Sequence, residues 1–399
     1  MQADLKATAE GKKDESKREF QPKWWGGTLG LYVHVPFCAT TCDFCAFYQV
    51  QSDREGIRAY LEGIRREAVL LESGCRPIDT CFWGGGTPGL LKASDLQILC
   101  ETVVSYFGQP AHEWTVEMAP STVKADKLRI LKDHGVTRIS MGVQSFDDPL
   151  LDKLGRQHSR KQIFKAYDLI REEDFESVNL DLIFAIPGQD ANRLKKDIRE
   201  AASLEPDHLS TYCLTFEEDT ALFVKLSEGK VAIDVDLEAA LYVTCWEEME
   251  RQGYEQYEIS NFARSGKQCL HNLNTWKMGQ WIGLGPSASS QYQGERYSNV
   301  ADLDTWMTGV ESGERQRVDH SQLSKSLLLE DALIFGLRMN RGVDLDRLEA
   351  RYDCGISIAQ EEVIRRLHGE GKLWKNGSRI GLTGTGRLVA DAIGGALMA

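Results

Sequence analysis

The chain has 399 residues, of which 47 are Lys or Arg and 60 are Asp or Glu, so its formal net charge is −13. This acidity argues against a general nucleic-acid-binding protein, because such proteins use a basic surface to contact phosphates. An apolar fraction of 42% is enough for a buried core. No apolar run approaches the roughly 20 residues that span a bilayer, and the N-terminus lacks the apolar segment of a secretory signal. A soluble, cytoplasmic protein is therefore expected.

The first 225 residues predict a tail followed by a barrel. Residues 1–27 mix both charges with few apolar residues before Trp24 and Trp25, which is typical of a disordered tail. Helical segments such as 56–72 then alternate with short β-branched or aromatic runs, which implies parallel strands joined by crossovers. Eight such units would need more chain, so we predict a partial, open (β/α)6 barrel over 28–225. The six predicted strands are 31–35, 79–83, 114–118, 137–143, 177–184 and 208–214.

The rest of the chain predicts two further regions. Residues 226–320 are rich in Gly and aromatic residues and predict an irregular α+β extension. Residues 321–399 contain a helical segment at 327–339 and a second one that stops at Gly371. Asn376-Gly377 is typical of a hairpin turn. Helices followed by a two-stranded wing predict a winged-helix-like C-terminal domain, interpreted as a lid or docking module because of the acidic balance.

Three of the ten cysteines are clustered directly after the first predicted strand, at Cys38, Cys42 and Cys45. Loops that follow the strands of such a barrel carry its active site. Thiolates suit an iron–sulfur cluster or zinc, but a closed zinc site takes four ligands. Three thiolates without an evident fourth ligand leave one metal position open. Three structural cysteines, or a zinc site completed by a distant His, stay as alternatives. The seven scattered cysteines are expected to act as small buried hydrophobes.

The spacing of these cysteines, in the context YVHVPFCATTCDFCAF, resembles the radical S-adenosylmethionine (SAM) superfamily. The resemblance spans about residues 30–390. It implies that the three cysteines hold a 4Fe–4S cluster and that SAM binds the iron they leave open. It also implies that one electron, supplied to the cluster by a donor such as flavodoxin or ferredoxin, cleaves SAM to methionine and a 5′-deoxyadenosyl radical.

Later segments contain groups that a bound SAM would need. The glycines of 83–88 (WGGGTP) let backbone atoms approach a ligand closely, although a tight turn without a ligand also explains them. Glu117 and Gln144 end the third and fourth strands, where they can accept hydrogen bonds from ribose hydroxyls. Arg156 offers a bidentate fork to a carboxylate. Asp181 interrupts the apolar fifth strand, which is costly unless it is paired. Taken singly, each polar residue is equally consistent with a structural role. The resemblance implies SAM contacts at Tyr32, Phe44, Gly85, Gly86, Thr87, Glu117, Gln144, Arg156 and Asp181.

Within the superfamily, the chain is similar to the oxygen-independent coproporphyrinogen III oxidases (HemN) and to the related haem chaperones (HemW). The oxidase motif carries a further cysteine two positions after the third, where this chain has Phe47. That difference favours the HemW branch. The segments 256–262 (QYEISNF) and 271–276 (HNLNTW) also resemble HemW stretches, the second being the haem-associated HNxxYW motif. The resemblance to this motif implies a haem or substrate region at His271, Asn272 and Trp276.

Two residues depart from the pattern of these relatives. Thr275 replaces the motif's Tyr, and Ser289 stands where a His is expected. Since His and Tyr are axial ligands of haem iron, both departures weaken the haem assignment. His271 is a candidate ligand, and an imidazole hydrogen-bonded within a domain junction is an equal alternative.

The leading hypothesis is a HemW-like protein that binds a 4Fe–4S cluster, SAM and haem and passes haem to an acceptor protein. A catalytic HemN-like enzyme, either a methyltransferase or a cyclopropane-forming enzyme, is the alternative, because Thr275 and Ser289 are consistent with a haem surface converted to a substrate site. Coproporphyrinogen oxidase activity is disfavoured by the absent fourth cysteine. A zinc-stabilised docking scaffold is the non-enzymatic alternative. No catalytic residue is assigned, and productive SAM turnover stays open.

Overall fold

The structure, a computed structural model, describes residues 27–51, 53–72 and 77–398. The tail expected at 1–27, including Trp24 and Trp25, lies outside these residues except for Gly27. Of the cysteines expected to act as buried hydrophobes, Cys75 also lies outside. None of the helices in the described ranges is long and apolar enough to cross a membrane.

Six parallel strands form the centre of the molecule, in sequential order and each hydrogen-bonded to the next. The strands are β1 (Leu29–Val35), β2 (Thr80–Gly85), β3 (Glu113–Met118), β4 (Arg138–Gln144), β5 (Ser177–Phe184) and β6 (His208–Cys213). The helices between them are α1 (Arg54–Glu72), α2 (Ala93–Phe107), α3 (Ala125–Asp133), α4 (Asp148–Lys153), α5 (Arg160–Glu172) and α6 (Ala191–Ser203). The predicted (β/α)6 barrel is confirmed, and every predicted strand matches to within two residues at each end.

The α+β extension adds strands to the same sheet at both edges. Next to β6 lie β8 and then β7, both antiparallel additions, while β9 pairs parallel with β1 and continues into β10, β11 and β12. The added strands are β7 (Glu255–Gln256), β8 (Asn261–Ala263), β9 (Gln280–Leu284), β10 (Ser289–Tyr292), β11 (Glu295–Asn299) and β12 (Arg317–Gln322). The helices in this region are α7 (Ala221–Ser227), α8 (Val235–Arg251), α9 (Leu270–Trp276) and α10 (Leu303–Glu311). Within the described residues, the result is one open sheet of 12 strands.

Alternation along the strands separates an apolar outer layer from a polar barrel interior. In β1, Leu31, Val33 and Val35 are fully buried in the main hydrophobic core beneath the helices. The intervening Tyr32 and His34 point to the opposite face, because successive side chains in a strand alternate. The same alternation in the other strands gives the barrel an interior of carboxylates, hydroxyls and amides that a polar ligand can use.

The last region is a winged-helix-like domain with its own core, as predicted. Its three-stranded sheet has the order β13-β15-β14, and the wing turns at Gly377, whose φ of +61° suits glycine. The elements are α11 (Lys325–Leu337), β13 (Val343–Asp344), α12 (Leu345–Tyr352), α13 (Ile358–Gly369), β14 (Leu373–Asn376), β15 (Arg379–Leu382), α14 (Gly384–Arg387) and α15 (Ala390–Leu397).

A buried carboxylate ties the extension to the barrel. Glu67 in α1 is fully buried and accepts hydrogen bonds from the Gly285 backbone (2.8 Å), the Asn299 amide (2.7 Å) and the Trp306 indole (3.1 Å). Arg315 completes the set with an ion pair of 2.8 Å. Because one carboxylate satisfies donors from β11, α10 and the segments beside them, it fixes how the added strands sit on the barrel.

We expect Glu67→Gln to lower the free energy of unfolding by about 3 kcal/mol, since it leaves Arg315 as an uncompensated buried charge. Urea unfolding of purified protein measures this. The matched control is Glu62→Gln in the same helix, whose carboxylate is 40% exposed and pairs with Arg65 and Arg66. The control should cost no more than about 1 kcal/mol. Equal losses of unfolding free energy in the two variants would contradict the role of Glu67 in tying the extension to the barrel.

Candidate cluster and cofactor site

The cysteine loop lies between β1 and α1, at the C-terminal edge of the parallel strands. The Cys45 backbone N–H donates to the Cys42 carbonyl (3.1 Å), and Cys38 N–H donates to the Val50 carbonyl (3.2 Å). All three thiols are half-buried. They are close enough to interact electrostatically: besides burial, the Cys42 thiolate raises the pKa of both Cys38 and Cys45. The fold therefore brings the three predicted cluster ligands together at the mouth of the barrel.

Asp43, inside the loop, anchors it to two other elements. Its backbone N–H donates to the Leu154 carbonyl (3.1 Å), and its own carbonyl accepts from the Leu222 N–H (2.8 Å). Its carboxylate pairs with Lys225 in α7 at 2.5 Å. The loop is thus held between the end of α4 and the start of α7, which pre-organises the thiols.

The donor set fits an iron–sulfur cluster. Among the described residues, no three His, Cys, Asp or Glu side chains converge as a single metal ion requires. A 4Fe–4S cluster takes each thiolate on a different iron, so its ligands lie further apart than those of one zinc ion. Burial raises the pKa of the Cys38 and Cys45 thiols. Cluster binding must therefore displace protons from them.

The glycine segment after β2 packs directly on the cysteine loop. Gly86 N–H donates to the Val35 carbonyl (2.9 Å) and Thr87 N–H to the Phe37 carbonyl (2.8 Å). A Cβ on Gly86 would lie 2.7 Å from the Val35 oxygen and 2.8 Å from the Phe37 oxygen. The Thr87 hydroxyl also lies 3.5 Å from the Cys38 sulfur. The glycine segment therefore allows a close backbone contact that aligns the cysteine loop. This structural role is separate from any contact of the glycines with a ligand.

Two carboxylates face the barrel interior near the glycines. Burial and then the nearby Asp181 carboxylate raise the pKa of Glu117, to about 8, although Arg156 and the Gly85 N–H act in the opposite direction. Asp181 accepts hydrogen bonds from Ser140 Oγ (3.0 Å) and from the Asn179 side-chain amide (2.8 Å). Both carboxylates are thus oriented, as ligands for the hydroxyls of a nucleoside would need to be.

Arg156 places a positive charge close to the thiols and to Glu117. Its guanidinium lies 5.7 Å from the centre of the Phe44 ring. Its Nε is buried and has no hydrogen-bond partner in the described part of the chain. Gln144 sits beside it at the end of β4, with a φ of +68° that is uncommon for a non-glycine residue. A buried guanidinium nitrogen without a partner fits an anionic ligand, such as the carboxylate of SAM.

Tyr32 completes the interior face, with its hydroxyl 3.2 Å from His34 Nδ1 and its ring stacked near Phe82. Tyr212 in β6 was missed by the sequence reasoning. Its surface is 42% exposed, but burial of the hydroxyl and then the Asp181 carboxylate raise its pKa, so the hydroxyl borders the same interior. The alternation of β6 was the signal that could have identified it. Contacts and short-range electrostatic interactions link the residues expected to contact SAM into one connected group, namely Tyr32, Phe44, Gly85, Gly86, Thr87, Glu117, Gln144, Arg156 and Asp181.

His271 lies at the other end of the barrel. It is buried in α9, with its Nδ1 3.0 Å from the hydroxyl of Thr80, the first residue of β2, and its ring 5.4 Å from that of Phe82. Burial lowers its pKa to about 4. A Cβ on Gly30 would lie 2.9 Å from the ring. His271 is thus a neutral imidazole packed beneath the strands, which matches the structural alternative for this residue.

The other end of α9 faces the C-terminal domain. The Trp276 ring packs 6.0 Å from Phe335, and the Arg338 guanidinium lies 5.2 Å above it. Trp276 Nε1 is buried without a hydrogen-bond partner among the described residues. The Asn272 carbonyl accepts from the Thr275 hydroxyl (2.8 Å) within the helix. The helix therefore does not gather His271 and Trp276 into one place.

We expect Gly86→Ala to destabilise the protein by about 1–3 kcal/mol, because the added methyl collides with two backbone oxygens. It should also lose most of its iron after anaerobic reconstitution, since the collision displaces the cysteine loop. Iron analysis and thermal unfolding measure the two effects. Gly369→Ala is the control, because a Cβ there meets nothing within 4 Å. Full iron loading of Gly86→Ala would contradict the conclusion that the backbone contact at Gly86 aligns the cysteine loop.

Glu117 should make the stability of the SAM-free protein depend on pH. Its folded-state pKa, about 8, lies above the usual 4.5. Its contribution to stability is therefore complete below about 4.5 and lost as the pH rises through about 8. Relative to Glu117→Gln, the wild-type free energy of unfolding should fall between these values, by at most about 1.4 kcal/mol per pH unit. Denaturant unfolding at several pH values measures the difference. If the unfolding free energies of wild type and Glu117→Gln changed in parallel with pH, the raised pKa of Glu117 would be contradicted.

Two family models match this sequence, and their matched ranges correspond to the barrel and to the C-terminal domain. Residues 32–201 match the model of the radical SAM superfamily, and residues 323–389 match that of the HemN C-terminal domain. The first match runs from within β1 to near the end of α6 and includes the cysteine loop, and the second covers most of the winged-helix-like domain.

Similar proteins cover almost the whole chain. The heme chaperone HemW of Bacillus subtilis is 33% identical over 92% of this chain and 98% of its own length. HemW of Lactococcus lactis is 30% identical over 89% and 93%. The mitochondrial radical S-adenosyl methionine domain-containing protein 1 of Danio rerio is 34% identical over 78% and 73%. The solved structure of coproporphyrinogen III oxidase (HemN) from Escherichia coli covers 93% of this chain and 90% of its own, with a TM-score of 0.82 at 23% identity, which shows a shared fold. The chain therefore belongs to the radical SAM superfamily and, within it, to the HemW family.

Proposed function

We propose that this protein is a haem chaperone of the HemW type, which binds a 4Fe–4S cluster and SAM and passes haem to an acceptor protein. The observation that carries the proposal is the 33% identity to the heme chaperone HemW of Bacillus subtilis, which extends over 98% of that relative. Phe47, at the position of the fourth cysteine of the oxidases, is consistent with it. The proposed site of action is the cytoplasm.

The cluster ligands in this proposal are Cys38, Cys42 and Cys45. Held by these thiolates, the cluster would supply one electron to SAM. Thr87 orients the Cys38 thiol, and Arg156 offers its open Nε to the SAM carboxylate. Glu117 and Asp181 accept hydrogen bonds from the ribose, and Tyr32 and Phe44 flank the ligand. These roles use groups that the barrel already orients.

Separate surfaces outside the SAM site are proposed for haem and for a protein partner. The haem or substrate region is proposed near Trp276, where the indole N–H lacks a partner in the described part of the chain. Phe47 is 69% exposed two residues after Cys45. An apolar side chain so close to the cluster suits contact with an electron donor such as flavodoxin or ferredoxin.

The test combines cluster analysis with haem titration of the full-length chain. Anaerobically reconstituted wild-type protein should carry iron and sulfide and should shift the haem absorbance spectrum when titrated with haemin. Cys42→Ser should lose most of its iron and sulfide, because the cluster then retains only two of its three thiolates. Cys354→Ser, at a half-buried cysteine of the C-terminal domain, is the control and should keep them.

Three outcomes would contradict the proposal. An intact cluster with no haem spectral change would exclude haem binding, and rapid substrate-stimulated release of 5′-deoxyadenosine would favour a catalytic enzyme. One zinc ion with no sulfide would exclude the cluster itself.

A further inference from the structure

A chain of buried hydrogen bonds runs through the barrel interior from the start of α9 to Asp181. Its centre is His208, the first residue of β6, which is 1% exposed. His208 Nδ1 lies 2.6 Å from Asn179 Oδ1, and His208 Nε2 lies 2.8 Å from the Tyr257 hydroxyl. The Asn179 amide nitrogen in turn lies 2.8 Å from Asp181 Oδ1. Four side chains from three segments are thus joined in one line.

The direction of each hydrogen bond follows from the groups present. Asn179 Nδ2 donates to Asp181 and, at 2.7 Å, to Ser140 Oγ, so Asn179 Oδ1 is the acceptor end of the amide. His208 Nδ1 must then carry the proton that this oxygen accepts. Burial and the nearby Arg138 lower the pKa of His208 well below its usual value, so the ring is neutral. Its Nε2 therefore accepts from the Tyr257 hydroxyl.

The other end of the chain is the N-terminus of α9. The Tyr257 oxygen accepts from the Cys269 backbone N–H (3.3 Å). The next two N–H groups, of Leu270 and His271, donate to the Glu113 carboxylate at 3.0 and 2.9 Å. Every donor between Cys269 and Asp181 therefore points toward the carboxylate, and no step can reverse without leaving a buried group unpaired.

We propose that Tyr257 and His208 are positioning residues for SAM binding. They hold the Asn179 amide in the one orientation that offers its N–H to Asp181, and so keep that carboxylate aimed at the cofactor. Ser210 Oγ also donates to Asn179 Oδ1, but at 3.2 Å, a longer bond than the 2.6 Å from His208. Without the proton from His208, this longer bond alone opposes a flip of the amide that presents its oxygen to Asp181 and repels the carboxylate. This inference rests on the proposed function, in which Asp181 binds SAM.

The test variant is Tyr257→Phe, which removes one hydroxyl and keeps the ring. With the cluster reconstituted, the Kd for SAM should rise about tenfold, the equivalent of about 1.4 kcal/mol. The iron content should equal that of the wild type. Anaerobic isothermal titration with SAM measures the Kd, and thermal unfolding reports stability.

Tyr254→Phe is the matched control. Tyr254 is buried, and its hydroxyl donates to the Pro206 carbonyl at 2.8 Å, outside the chain of bonds to Asp181. A merely structural loss would lower the stability of both variants and leave both Kd values unchanged. Wild-type SAM affinity in Tyr257→Phe would overturn the positioning role alone. Absence of SAM binding by the reconstituted wild type would overturn the proposed function as well.

Discussion

The close backbone contact between the end of β1 and the glycine segment after β2 is the constraint on which the site depends. Two hydrogen bonds, from Gly86 to Val35 and from Thr87 to Phe37, join the segments where there is no room for a Cβ. The contact places the Thr87 hydroxyl at the Cys38 sulfur. Because the cysteine loop starts from this contact, the position of the whole cluster follows from it.

The polar interior of the barrel imposes a second constraint. Carboxylates such as Glu113 and Asp181 are costly to bury, so each needs donors from the surrounding strands and helices. Glu113 takes its donors from the N-terminus of α9, which closes the bottom of the barrel. Asp181 takes its donors from Ser140 and Asn179 and stays near the open mouth. Hydrogen bonding to a buried carboxylate thus has two effects. It stabilises the closed end of the barrel through Glu113, and it orients Asp181 at the end where the cofactor is proposed to bind.

Helix α9 has two different faces, which changes how its sequence motif is understood. His271 belongs to the closed bottom of the barrel, tied to Thr80, whereas Trp276 packs against Phe335 and Arg338 of the C-terminal domain. A haem-associated pattern along one short helix therefore spans two environments. The Trp276 end offers an indole N–H without a partner in the described structure, whereas the His271 end offers a buried imidazole bonded to Thr80 through Nδ1.

Local patterns were sufficient for much of this protein. The strand and helix periods predicted the six-stranded barrel, the Cys38, Cys42 and Cys45 spacing predicted the cluster loop, and Asn376-Gly377 predicted the wing, because each depends on residues close in sequence. Long-range pairing settled the rest. β9 joins β1 through Leu29 and Gln280, and β7 and β8 are only two and three residues long, too short for a periodic signal. The buried line from Tyr257 through His208 to Asp181 likewise joins distant segments, so only the folded chain could bring its donors and acceptors together.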